Sequence, residues 1–106
     1  MGFGGNNMQK MMKQVQKMQA DMARLQEELG NVTVEGSAGG GAVQVVANCH
    51  QEISQVRIDK SVIDPEDPEM LEDLVLTAVN DALKKSKDTA AQEMEKITGG
   101  IKIPGM

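Results

Sequence analysis

Met8-Gln9-Lys10-Met11-Met12-Lys13-Gln14-Val15-Gln16-Lys17-Met18-Gln19-Ala20-Asp21-Met22-Ala23-Arg24-Leu25-Gln26-Glu27-Glu28-Leu29, closed by Gly30, decides the fold. Within it Met8, Met11, Val15, Met18, Met22, Leu25 and Leu29 recur at alternating spacings of three and four, the a/d seam of a heptad pattern. The spacing predicts a helix from Met8 to Leu29, roughly 33 Å long at about 1.5 Å per residue. A stripe two positions wide per heptad cannot bury itself, so Met11, Val15, Met18, Met22 and Leu25 form a packing seam that requires a partner. The candidates are the second helix or another copy of the chain. The later helix offers sparse apolar positions, which favours self-association.

Working outward, the faces away from the seam carry Lys10, Lys13, Lys17 and Arg24 among uncharged Gln and Ala residues. Up to Gln26 the only acid is Asp21, so the stretch is net cationic in a chain whose formal charge is -5. Lys10 and Lys13 have no acid four residues away, which departs from the usual solubility pattern. Doubled in a dimer, the cations suit a phosphate backbone, where each neutralised phosphate releases counterions. Lys84 and Lys85, next to Lys87, form a smaller cluster flanked by Asp81 and Asp88. It is the weaker of the two.

After Gly30 the period becomes two: Val32 and Val34 alternate with Thr33 and Glu35, a Gly-rich turn runs from Gly36 to Gly41, and Val43, Val45, Ala47 and Cys49 share one face of a second strand. A turn at His50-Gln51-Glu52 leads to a third strand around Val56-Arg57-Ile58-Asp59. Short connections favour a three-stranded antiparallel meander. Asp67 and Pro68 read as a helix start, with Asp67 capping free amides and Pro68 at the first helical position. From Met70 to Leu83 the apolar face is wide enough to cover the sheet. Beyond it the pattern thins to Ala90, Ala91, Met94 and Ile97, and Gly99-Gly100 ends the helix. Residues 1–106 thus form one α+β domain, with 1–7 and 101–106 expected to be loose.

Composition narrows the function. One Phe and no Trp or Tyr leave nothing with which to build an aromatic pocket or base-stacking platforms, so no small-molecule substrate is expected. Cys49 is the single cysteine and His50 the single histidine. Neither belongs to a metal-ligand or nucleophile pattern, and both read as structural residues. Gly39-Gly40-Gly41 lacks the Gly-Lys-Ser/Thr ending of a phosphate loop and leads into a strand. No catalytic constellation, cofactor or metal is expected. No apolar run approaches the ~20 residues of a membrane span, which predicts a soluble cytoplasmic protein.

The run Met8 to Gln19, the strand Val32-Thr33-Val34-Glu35-Gly36, the strand Val56-Arg57-Ile58-Asp59, and Met70-Leu71-Glu72-Asp73-Leu74-Val75 followed by Ala78-Val79-Asn80-Asp81-Ala82 together resemble the YbaB/EbfC family of bacterial nucleoid-associated proteins. The resemblance implies an α-β-β-β-α protomer in a tweezer-like homodimer that binds double-stranded DNA through helical arms in the nucleoid, without enzymatic activity. By position, Lys10, Lys13, Lys17 and Arg24 would face DNA, with Lys84 and Lys85 in support. The chain departs from relatives in two places. They often carry Gly where it has His50-Gln51-Glu52, and Arg where it has Lys84-Lys85. A protein-interaction adaptor or an RNA-binding protein using the same helix are the alternative readings of the residues.

Overall fold

The computed structural model describes residues 3–98, with side chains from 8 to 97; the segment 101–106 lies outside the described residues, as do the side chains of 1–7. A long helix, α1 (Phe3–Leu29), leads into three strands, β1 (Thr33–Ala38), β2 (Val43–Asn48) and β3 (Ile53–Ile58). A single 3-10 turn at Lys60–Val62 precedes a second long helix, α2 (Pro68–Thr98). The strands form one antiparallel sheet in the order β1-β2-β3, the expected meander. The extents are 80 × 26 × 16 Å and the radius of gyration is 21.0 Å, against about 13 Å for a compact chain of this length. The molecule is a small body with a helical arm projecting from it.

Three local readings change. Helix α1 begins earlier than expected, at Phe3, and Gly36 is part of β1, so the turn contracts to Gly39–Ala42. All three glycines of that turn have positive φ (65, 68 and 95°), which is why a run of them is needed there. The 3-10 turn was not foreseen. Asp59 starts it, its carboxylate accepting the Ser61 amide at 2.9 Å, and this hydrogen bond holds the Asp59 carboxyl below its usual range. Asp67 caps α2 as its position before Pro68 requires, accepting the Met70 amide at 3.3 Å.

The core forms between the sheet and the first half of α2. Val43, Val45 and Ala47, the dry face of β2, are fully buried against Ala78 and Ala82. Gly36 explains why α2 sits where it does. A Cβ at this position would lie 2.5 Å from the Ala78 carbonyl oxygen and 2.7 Å from the Ala82 Cα, so helix backbone rests directly on strand backbone. Ala78, Ala82 and the buried Ser86, four residues apart, present the flat helix surface that permits it. Ser86 satisfies its own hydroxyl by donating to the Leu83 carbonyl at 2.9 Å.

This placement treats the two sheet edges differently. On β1, the Ser37 amide donates to Asp81 at 3.0 Å, and the Glu35 carbonyl accepts from Lys85 at 3.1 Å. Edge groups that would otherwise template another strand are thereby occupied by α2. Helix α2 lies over β1 and β2, and β3 is exposed from Ile53 to Arg57. Val56 lies opposite the buried Val45 in the ladder and so shares its dry face, yet it remains 47% exposed.

Gly36→Ala should destabilise the protein by about 3 kcal/mol or more, because the added methyl meets helix backbone on one side and strand backbone on the other. Gly40→Ala, where a Cβ meets nothing within 4 Å, should cost only the left-handed φ, about 1 kcal/mol. Urea denaturation of the two variants beside the parent separates these expectations.

Candidate nucleic-acid interface

Helix α1 projects because only its C-terminal end is anchored. Leu25 and Leu29 are buried with Cys49, and Val32, Ala90, Met94 and Ile97 pack around them. The partner of this half of the seam is therefore α2 of the same chain, not the second copy favoured by the sequence. Towards the tip the cover ends. Met18 and Met22 are half-buried, while Val15 is 52% exposed and Met11 63%. Burial raises the Cys49 thiol above its ordinary range, and the negative charge of Glu93 adds to the effect. The thiol is a packing group.

The root of the arm is also hydrogen-bonded. The last four carbonyls of a helix have no partner within it, and in α1 each finds one elsewhere. The Gln26 carbonyl accepts from His50 Nε2, Glu27 from the Gly30 amide, Glu28 from the Asn31 amide, and Leu29 from both the Val32 and Cys49 amides. His50 is held in place by the turn. Asn48 Oδ1 accepts the amides of His50 at 2.9 Å and Glu52 at 3.0 Å, and Gln51 takes a left-handed φ of 63°. Gly is the residue most at ease in such a conformation, and here a Gln adopts it. His50 is thus a structural residue with a definite task, capping the arm. Sequence spacing gave no signal of it because its partner is a backbone carbonyl 24 residues away.

Along the arm the cations fall into two groups. Lys10, Lys13 and Lys17 are exposed, and none has an acidic partner among the described residues. Arg24 does not share that freedom: it pairs with Asp21 at 2.7 Å, three residues back. At ~100° per residue all four lie within about 60° of one another, on a row about 21 Å long that is turned away from the Met stripe. Lys85 is committed to the body, bridging Asp81 at 3.1 Å as well as the Glu35 carbonyl. Lys84 beside it is exposed. The structure thus brings Lys10, Lys13 and Lys17 together as a row of free charge, whereas Lys85 is engaged by Asp81 and the Glu35 carbonyl.

Asp81 faces that second cluster. The Ser37 amide first, and Lys85 second, hold its carboxyl below the usual carboxylate range. No helix is long and apolar enough to cross a membrane among the described residues. Nor do three His, Cys, Asp or Glu side chains converge there as a metal site.

The model of the YbaB/EbfC DNA-binding family matches residues 3–101. A nucleoid-associated protein of Pelotomaculum thermopropionicum is 64% identical over 102 residues, covering 96% of this chain and 97% of that protein. One from Moorella thermoacetica is 61% identical over 105 residues, covering 99% of each. The crystal structure of the uncharacterized protein HP0035 from Helicobacter pylori superposes with a TM-score of 0.68 at 25% identity, over 80% of this chain and 89% of that one.

A depressed Asp81 pKa means that folding binds the deprotonated form more tightly. Its contribution to stability is therefore complete above the unfolded carboxylate pKa and is lost as pH falls through the folded one. The parent protein should lose stability between about pH 6 and about pH 3, and Asp81→Asn, weaker at the upper pH, should lose less over the same interval. Urea midpoints at the two pH values check the difference.

Proposed function

Because the chain belongs to the YbaB/EbfC DNA-binding family, a nucleoid-associated DNA-binding family and not one of enzymes, we propose that it binds double-stranded DNA as a homodimer through the lysine row of α1. It does so in the bacterial nucleoid, within the cytoplasm, and helps to organise the chromosome or regulate genes. The observation that carries this reading is the row itself. Lys10, Lys13 and Lys17 stand unpaired on one face of an arm that projects from an acidic body. Acid elsewhere repels DNA, so the duplex meets the arm and not the body. Lys and Gln aimed at a backbone position a protein without reading sequence, which suits an architectural role. Arg24 can join by exchanging an exposed ion pair for a phosphate at little cost.

The dimer contact follows from the uncovered side of the sheet. On α2, Asp81 and Lys85 flank the Ala78–Ala82 line on one side, where they meet β1. At ~100° per residue, Val79 lies on the opposite flank, towards β3, with Leu76 farther round towards solvent. Leu76 is 60% exposed and Val56 47%, and we assign these two, with the open edge of β3, to one apolar trough that takes a second copy. Isologous pairing there leaves both arms free and doubles the lysine row.

Six lysines engaged across such a dimer correspond to a log-log salt slope of about -5, and recruitment of both Arg24 side chains to about -7. Lys13→Glu with Lys17→Glu should weaken binding to every duplex alike and flatten that slope. Titrations on several duplexes at two salt concentrations test it. Unchanged affinity and slope in a dimeric double variant would transfer the helix to the adaptor reading, and preference for duplex RNA in competition would transfer it to the RNA reading. Val56→Asp with Leu76→Asp should yield a folded monomer in sedimentation equilibrium, whereas a persistent dimer would refute the trough as the contact.

A further inference from the structure

The tip of the arm carries an apolar surface that neither the lysine row nor the dimer trough uses. Met8, Met11, Met12 and Val15 of α1 are 63%, 63%, 58% and 52% exposed. Met8, Met11 and Val15 continue the seam that Leu25 and Leu29 bury against α2. Cover from α2 gives out at Ile97, beside Val15 and Met18. From Val15 to Met8 the seam is bare over about 10 Å of helix.

We propose that this tip docks antiparallel on the arm tip of a second copy, Met8 against Met11, and that the contact joins one DNA-bound dimer to the next. The joining of dimers rests on the DNA reading of the chain, whereas the docking rests on the arm alone. Shape selects the partner. An a/d seam is filled by the side chains of another helix, and α2 fills it at the root. Among the described residues the other exposed large apolar side chains, Ile53, Val56, Ile63, Met70 and Leu76, lie on the body and follow no such spacing. A matching bare seam is found on another arm. Charge permits the pairing at the tip and not at the root. A two-fold axis between identical helices brings each position bordering the seam against its own copy, so a charge there repels itself. The bordering positions at the tip are Met12 and Gln14, both uncharged, whereas nearer the root they include Asp21 and Glu28. Lys10, Lys13 and Lys17 lie about 160° round the helix from the stripe, so both rows face outward and stay open to phosphate. Size sets the strength. Four side chains from each partner fall well below the ~20–30 residues of a stable interface. The contact is therefore weak in free solution and takes effect where a duplex raises the local concentration of arms.

Titration of the full chain on a short duplex with room for one dimer, and on a long duplex, tests this. The parent should bind the long duplex cooperatively. Met8→Gln with Met11→Gln, which changes no charge, should abolish the cooperativity and leave affinity and salt slope on the short duplex as in the parent. Non-cooperative binding by the parent, or cooperativity that survives in the double variant, would overturn the joining of dimers, and a loss on the short duplex would assign the stripe to DNA. Methionine-methyl NMR reads the docking whether or not the chain binds DNA. A nitroxide at Gln14→Cys, in a Cys49→Ala chain, should broaden Met8 and Met11 of a separate methyl-labelled chain mixed with it, and broaden them further when the long duplex is added. Signals that stay sharp in both mixtures would overturn the docking. Broadening that vanishes in Val56→Asp with Leu76→Asp would place the two tips within one dimer and overturn the link between dimers. Broadening in a chain that binds neither duplex would refute the DNA reading and uphold the docking.

Discussion

Direct contact between the backbone of α2 and the backbone of β1 at Gly36 is the constraint on which the rest of the molecule depends. Helix and sheet usually stand apart by the thickness of their side chains. Here the strand has none at the contact, and the helix offers Ala78 and Ala82. Close approach places the axis of α2 over one side of a three-stranded sheet instead of its centre. Asp81 and Lys85 then fall within reach of the Ser37 amide and the Glu35 carbonyl, and the edge of β1 is sealed. Burial of Val43, Val45 and Ala47 follows from the same position, and so does the exposure of β3. A larger residue at any of the three small positions would move all of these together.

That off-centre placement also launches the arm. The second half of α2 runs past the sheet, where Ala90, Met94 and Ile97 pack against Leu25, Leu29 and the residues around Cys49. Two long helices thus leave a small body side by side, held at the root by apolar packing and by the cap of His50 on the Gln26 carbonyl. A projecting helix pair has a high ratio of surface to core and contributes little to stability. Its value is positional. It carries three unpaired lysines away from a body rich in carboxylates, and in that way a chain with a formal charge of -5 can present a cationic face.

Most of the architecture was legible because it rests on local periodicity. The 3-4 seam marked α1, the alternation of Val43, Val45 and Ala47 marked the buried face of β2, with Cys49 falling just past the strand and into the root of the arm, and Asp67-Pro68 marked the start of α2. What was not legible depended on tertiary contact. Gly36 read as a turn residue because its strand role is defined by a helix more than 40 residues later, and sequence records only that it lacks a side chain. The partner of the seam was ambiguous for the same reason: an a/d stripe states that a partner exists but not which one. Lys10, Lys13 and Lys17 were legible as a basic face, since helical phase alone places them together. Engagement of Lys85 by the body was foreshadowed by the adjacent Asp81. Spacing alone offers Arg24 two acids, Asp21 three residues back and Glu28 four residues on, and does not say that Asp21 takes it.

In the proposed dimer the arm and the contact are separable, and that separation bears on how such a dimer would meet a duplex. Val56 and Leu76, the residues proposed for that contact, belong to the body and not to the lysine row. Association can therefore be strong without immobilising the arm, and the arm can adjust to DNA without loosening the dimer. Stiffness of the arm then resides at its root, in the cluster of Leu25, Leu29 and Cys49 and in the carbonyls of the last turn. A helix pair clamped only there transmits small changes of packing at the root into larger displacements of Lys10 than of Lys17, because Lys10 lies farther from the clamp. On the proposed reading, the lysine nearest the tip would have the widest choice of phosphates and the one nearest the root the most fixed, a gradation that would suit duplexes of differing shape.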